Sequence, residues 1–250
     1  MHMTLPVNDP QAVVVNSKDE LVKVHNNHPS VEVCFWPEYN DVPAFAQCII
    51  ERLATLKIDF SFSIKYESYN KNYDFYIEEE NVSQLAWCNN IQNLLSEHLN
   101  VAQKEALDFI EFLIVELKSY LQLLPQHYST FATFTTSRHN LKTHKHGAFW
   151  HCDSNPLVGI KNYIGEGALY ANKRAVLASD SYVFNTPLSD SNNFLTVDKR
   201  YNQYQIKTQG VSLHKGGSSF LYDPAAVHKS PVKVGSTAPR VVLLFGVSNY

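Results

Sequence analysis

The sequence predicts an α+β protein, with a jelly-roll core in the C-terminal half and N-terminal helices packed on it. Two observations lead there. Before Pro125, long stretches place apolar residues at a 3.6-residue period, as in Ile110, Leu113, Ile114, Leu117, Leu121 and Leu124. From Tyr128 onward the texture changes: short β-branched and aromatic runs alternate with Gly, Asn, Asp, Ser and Pro, at the spacing of an all-β sandwich or barrel. Roughly eight such runs follow, which fits a jelly roll. No internal repeat or low-complexity linker interrupts the chain. Residues 1–250 therefore read as a single domain, with a mainly helical flanking region at 1–126 and the jelly-roll core at 127–250.

Each element has a local reason. Ser17-x-x-Glu20 has capping-box form and opens a short helix through Val24. Val31 to Trp36 reads as a strand, stopped by Pro37. Asp41 is placed to cap a helix from Val42 to Leu56, with Phe45, Ile49, Leu53 and Leu56 on one stripe. Phe60 to Tyr66 alternates in strand fashion. Two longer helices follow, Val82 to Leu99 and Ala102 to Leu124, the second ended by Pro125. The strands of the core are expected at Thr130–Thr136, Ala148–Asp153, Leu157–Ile164, Tyr182–Asn185, Gln203–Gln209, Ser218–Tyr222, Val227–Val232 and Arg240–Val247.

Composition narrows the function classes. A chain of 250 residues, 44% of them hydrophobic, can bury a substantial core. With 18% charged residues and a net charge of −3, nothing points to nucleic acid or an anionic membrane as a partner. The longest apolar stretches, such as Phe109 to Val115, are too short and interrupted to span a bilayer. Met1-His2-Met3-Thr4-Leu5-Pro6 lacks the basic and apolar regions of a secretory signal. Cys34, Cys48, Cys88 and Cys152 form no CxxC pair and read as free thiols in a reducing compartment, so the cytoplasm is the expected location.

The chemistry is concentrated in His151-Cys152-Asp153, followed far downstream by His228 and Arg240. On a strand, residues two apart share a face, so His151 and Asp153 offer an imidazole and a carboxylate to one point. His228 from a distant strand completes a 2-His-1-carboxylate set, which suits non-haem Fe(II) and leaves positions open for substrate and oxygen. Arg240, twelve residues beyond His228, opens the apolar run Val241-Val242-Leu243-Leu244-Phe245 and can grip a carboxylate with a planar fork of donors. Cys152 points to the other face by alternation and is not assigned as a ligand.

These residues resemble a known family. The region from Phe131 to Val247 is similar to the Fe(II)/2-oxoglutarate-dependent oxygenase superfamily, whose double-stranded β-helix core carries HxD, a distal His and a distal Arg. More narrowly, several stretches resemble an uncharacterised bacterial family of unknown function: His151-x-Asp153-x-x-x-Leu157, Asn162 to Gly167, Lys215-Gly216, His228-Lys229-Ser230-Pro231 and Arg240 to Leu243. The resemblance implies that His151, Asp153 and His228 hold Fe(II). It also implies that 2-oxoglutarate is the cosubstrate, with its keto-acid end on the metal and its far carboxylate on Arg240, assisted by Tyr163 or Asn162. The implied reaction is hydroxylation or a related oxidation of a small molecule or a protein side chain, because halogenating relatives replace the carboxylate at Asp153 with a small residue. The strand Val158-Gly159-Ile160-Lys161 departs from the pattern in lacking an Arg, so Lys161, Asn162 and Tyr163 all stay open as cosubstrate contacts.

Other readings stand beside this one. Thr143-His144-Lys145-His146 has the HxH form of a cupin-type metal site, which could recruit His228. However, the residue five beyond His146 is His151, where a cupin would carry Glu, and Lys142 and Lys145 place positive charge beside the metal. Eleven histidines also keep open a non-catalytic metal-binding or sensing module. The structural alternatives are a His151–Asp153 hydrogen-bonded pair on a barrel wall, a buried His228 satisfied by a carbonyl, and a surface ion pair for Arg240. The polar stretch from Ser179 to Asn202 reads as a surface loop or lid over the mouth.

Overall fold

The computed structural model describes residues 12–28, 30–37, 42–56, 58–67, 72–77, 80–137, 150–153, 155–171, 176–177, 196–197, 203–205, 210–216, 226–229, 231 and 240–248. The first half carries β1 (Ala12–Val14), α1 (Lys18–Asn27), β2 (Val33–Trp36), α2 (Ala44–Thr55), β3 (Ser61–Glu67), β4 (Asn72–Ile77), β5 (Glu80–Val82), α3 (Gln84–Leu99) and α4 (Gln103–Leu121). The second half carries β6 (Thr130–Ser137), β7 (Leu157–Ile164), β8 (Leu169–Ala171), β9 (Val176–Leu177), β10 (Thr196–Val197), β11 (Gln203–Gln205), β12 (Val211–Lys215), β13 (Val227–Lys229) and β14 (Arg240–Val247).

Among the described residues, a large sheet runs in the order β1-β2-β12-β7-β14-β6-β3-β4-β5, and a smaller one in the order β11-β8-β13. An antiparallel bridge between His151 and His228 extends the smaller sheet beyond β13. The four strands β12-β7-β14-β6 therefore face a second layer made of β11, β8, β13 and the His151 segment. Two such layers are the two halves of a jelly roll, and strands from the N-terminal half lengthen the larger one at both edges. β9 and β10 form a separate antiparallel pair.

Strand alternation sorts the side chains. On β14, Val241, Leu243 and Phe245 join the core beneath the helices, whereas Val242 and Leu244 pack on the other face with Ala168, Tyr170 and Ala226. Arg240 shares the register of Val242 and Leu244, so it points into the space between the sheets. On β12, Val211 and Leu213 face the helices while Ser212 and His214 face inward. On β7, Ile160 and Asn162 take the inner face, and Lys161 and Tyr163 the helix face.

The helices cover the outer face of the large sheet. In α4, Ala106, Phe109, Ile110, Leu113, Leu117, Tyr120 and Leu121 are buried, at spacings of three and four. Full burial of one such aliphatic or aromatic side chain contributes roughly 1.5–3 kcal/mol. Trp87, Ile91, Leu95 and Leu99 do the same for α3, which Ser83 opens by accepting from the Ala86 N–H at 3.3 Å. Asn100 closes α3 in the left-handed region, at φ 48°. Between α4 and β7 lies a buried ion pair of Lys161 with Glu116, whose Oε1 also accepts from the Tyr163 hydroxyl at 3.0 Å.

Several elements differ from expectation. α1 runs to Asn27 rather than Val24, and the Ser17 side chain makes no cap; instead Glu20 accepts from the Asn16 N–H at 2.8 Å. In α2 the buried stripe is Ala46, Ile49, Ile50, Leu53 and Ala54, leaving Phe45 exposed. Spacings of three, one, three and one keep those five residues within one face, better than the steps of four from Phe45. Pro43 occupies the N-cap of α2, and Asp41 lies outside the described residues. α4 ends at Leu121, and the chain tightens through Leu123 and Leu124, whose N–H groups reach back three residues. β1, β4, β5, β8, β9, β10 and β12 are additions. The strands expected at Tyr182–Asn185 and Ser218–Tyr222 lie outside the described residues. Cys34, Cys48, Cys88 and Cys152 are free thiols. Among the described residues no helix is long and apolar enough to cross a membrane.

Candidate metal centre

His151 and His228 meet because their backbones pair: each N–H donates to the other's carbonyl at 2.9 Å. A directly paired couple projects both side chains to one face, and the two ring centroids are 4.4 Å apart. Asp153, two residues along, comes to the same face. Its Oδ1 lies 3.7 Å from His151 Nε2 and its Oδ2 3.4 Å from His228 Nε2. One ligand atom from each of the three residues falls within 4.8 Å of the others, so the group can hold a metal ion. The expected HxD-and-distal-His convergence is thus present in the fold.

The surroundings set the protonation states. His228 is buried, and burial pushes its imidazole well below the usual range, against the attraction of Asp153. Its Nδ1 lies 3.4 Å from the Ala226 carbonyl, which can only accept, so the Nδ1–H points there and the Nε2 lone pair turns to the site. For Asp153, burial favours the neutral acid, but the imidazoles of His228, His214 and His151 outweigh it. Its carboxyl is held well below the ordinary carboxylate range. An ionised carboxylate and a neutral imidazole are the forms a metal requires.

Two inner-face residues escape sequence reasoning. His214, fully buried on β12, brings Nε2 to 2.8 Å from Asp153 Oδ2. Tyr170 on β8 stacks on His228, with centroids 5.6 Å apart and planes at 28°, and its hydroxyl lies 2.9 Å from His214 Nδ1 and 3.0 Å from Ser212 Oγ. Burial raises the Tyr170 hydroxyl, keeping it protonated. The signal for His214 was the alternation Val211-Ser212-Leu213-His214, apolar and polar in turn, on a strand too short to stand out.

The remaining predicted residues separate. Arg240 is buried on the inner face, close enough to Tyr170 for their charges to interact. Burial pushes its guanidinium down to about 10, partly countered by Tyr170, so it stays charged at neutral pH. The surface ion pair is therefore not its setting. Asn162 is fully buried on the same face; its Nδ2 donates to the Gly165 carbonyl at 2.7 Å, while Oδ1 is buried with no hydrogen bond among the described residues. Tyr163 and Lys161 are corrected: alternation along β7 sends both to the opposite face, where Glu116 engages them. His144 and His146 lie outside the described residues, as does most of the stretch from Ser179 to Asn202.

No family model matches the sequence, and no curated protein matches it. Among solved structures the chain is similar to the rice dioxygenase for auxin oxidation, at 10% identity and TM-score 0.45, covering 94% of this chain and 82% of that one. It is also similar to the dioxygenase for auxin oxidation 1 from Arabidopsis thaliana, solved as a binary complex with 2-oxoglutarate, at 6% identity and TM-score 0.44, covering 94% and 91%. A putative oxygenase from Shewanella oneidensis is similar at 11% identity and TM-score 0.40, covering 94% and 89%.

Proposed function

We propose that this chain is an Fe(II)- and 2-oxoglutarate-dependent oxygenase that hydroxylates or otherwise oxidises a small molecule or a protein side chain. One observation carries the reading: the two imidazoles and one carboxylate of His151, Asp153 and His228 meet in the same inter-sheet space into which β14 directs Arg240. The donor set fits the metal, since two neutral nitrogens and one carboxylate on one side leave the other side open. The inner face suits the cosubstrate, since a buried and charged guanidinium on the face that carries Val242 and Ile160 favours an anionic partner.

Bound there, Fe(II) with 2-oxoglutarate and O2 would supply the oxidising power, one oxygen atom leaving in succinate as CO2 is lost and the other going to the substrate. The chain's residues do the rest. His151, Asp153 and His228 hold the cation, and Arg240 fixes the far carboxylate of the diacid. Tyr170 lies between these two functions, stacked on His228 and within electrostatic reach of Arg240. Val242, Ile160 and Ala168 line the inner face and limit the access of water.

The test is an anaerobic Fe(II) titration with and without 2-oxoglutarate, followed by aerobic assay of succinate. A weak visible charge-transfer band on adding both, then succinate on admitting oxygen, is the expected result. Metal binding with neither band nor succinate would leave a metal-binding or sensing protein.

A further inference from the structure

A hydrogen-bonded chain crosses the sandwich behind the metal group. It starts at Ser212 Oγ, passes through the Tyr170 hydroxyl at 3.0 Å and His214 Nδ1 at 2.9 Å, and ends at Asp153 Oδ2, 2.8 Å from His214 Nε2. Ser212, Tyr170 and His214 are all buried. The chemistry of the end groups gives the chain a direction. An ionised carboxylate only accepts, so His214 must present Nε2–H to Asp153. Its Nδ1 lone pair is then free to accept the Tyr170 proton, and the Tyr170 oxygen accepts from Ser212.

We propose that His214 is a positioning residue of the metal centre: it donates from Nε2 to Oδ2 of Asp153, with Tyr170 fixing the tautomer, and so fixes the carboxylate beside His151 and His228. The inference rests on the reading above only in that these three residues bind a divalent cation. Oδ2 lies between His214 and His228, so the donor from His214 sets how far the carboxylate can rotate. Partners of this kind, one bond removed from a metal, typically change affinity about ten- to hundredfold when lost. Because β12 belongs to the large sheet and Asp153 lies in the opposing layer, the bond also ties the two layers together at the site.

Two measurements test this. In the metal-free, 15N-labelled protein, the His214 ring should show protonated Nε2 and unprotonated Nδ1, with the Nε2 proton losing its downfield position in Asp153→Ala. The opposite tautomer overturns the proposal. In the second, Co(II) affinity is measured for His214→Phe and His214→Gln, in the wild-type and Asp153→Gly backgrounds. His214→Phe should weaken binding about ten- to hundredfold. His214→Gln, whose amide can donate to the same oxygen, should recover most of it. In Asp153→Gly, His214→Phe should cause no further loss, because its effect passes through the carboxylate. Equal losses in both backgrounds, or none in the first, overturn the proposal. A lowered melting temperature in His214→Phe with unchanged Co(II) affinity would mark a purely structural role and overturn the proposal. Normal Co(II) behaviour with no response to 2-oxoglutarate would remove the oxygenase reading and leave this one standing.

Discussion

Asp153 is where most of the site's interactions meet: three imidazoles approach one carboxylate, from His151, His214 and His228. Replacing His151, Asp153 or His228 by Ala should each reduce Fe(II) affinity tenfold or more, about 1.4 kcal/mol at least. His144→Ala should leave it nearly intact; an equal loss there, read by competition with a chromogenic chelator, would favour the cupin arrangement. Arg240 acts elsewhere. A charge-assisted hydrogen bond contributes roughly 1.5–3 kcal/mol. Arg240→Ala should therefore weaken 2-oxoglutarate binding about tenfold or more by calorimetry, with Fe(II) affinity close to wild type. Arg240→Lys should recover part, because a point charge does not reproduce the fork. Unchanged cosubstrate affinity in Arg240→Ala would remove this residue from the site. Of these side chains, the grouping of His151, Asp153 and His228 was legible from strand alternation together with the family resemblance, and so was the inward register of Arg240. His214 and Tyr170 were not, because their partners come from strands far apart in sequence. Tyr163 misled for a local reason, being adjacent to Asn162 on β7 and so on the opposite face.

At the scale of elements, the docking of α4 on β7 can be tested through its buried charges. Glu116→Ala removes an acceptor from both Lys161 and Tyr163, and breaking a buried ion pair by deleting one member costs about 3–5 kcal/mol. Replacing the trio together, with Glu116→Leu, Lys161→Met and Tyr163→Phe, should be near neutral or stabilising in denaturant unfolding. A large loss in the triple variant would mean that the charges themselves specify the packing. Gly216 ends β12 against the loop after Asp153: a Cβ there would overlap the Asn155 carbonyl oxygen and come within 2.8 Å of the Asp153 carbonyl. Gly216→Ala should therefore disturb metal affinity as well as stability. Elements with one clear period were readable, and Leu157–Ile164 and Arg240–Val247 match their expected bounds. β12 was hidden because its alternation of apolar and polar residues spans a single five-residue strand, too short to stand out. The short β1, β5 and β8 owe their existence to pairing partners rather than to their own three residues.

At the scale of the whole molecule, stability should depend on pH through His25, which joins α1 to the large sheet. Its Nε2–H donates to the Leu213 carbonyl at 2.7 Å, and burial pushes its imidazole down to about 4. The unfolded chain protonates at the ordinary value of 6.5, so between 6.5 and 4 it binds the extra proton and the folded state does not. Stability is therefore full above 6.5 and falls with pH below it, by up to about 1.4 kcal/mol per unit and roughly 3 kcal/mol in all. His228 contributes in the same direction. Urea midpoints of the metal-free protein from pH 7.5 to 4.5 should thus fall less steeply in His25→Gln, and an unchanged slope would assign the effect elsewhere. The overall architecture was legible as helices followed by a jelly roll, but not the recruitment of β2 to the edge of β12, where Cys34 pairs with Leu213. That pairing belongs to a wider pattern. β14 lies between β6 and β7, so the large sheet acquires its continuity only from a strand that follows all the other described elements in the chain. On the ribosome, the helices and the β3–β6 edge can gather early, while the inter-sheet space stays open until residues beyond Arg240 emerge. Such dependence on distant pairings slows folding, on the scale of milliseconds to seconds for sheet-rich chains. It also means that nascent chains can display His151 and Asp153 before they can close over anything bound there.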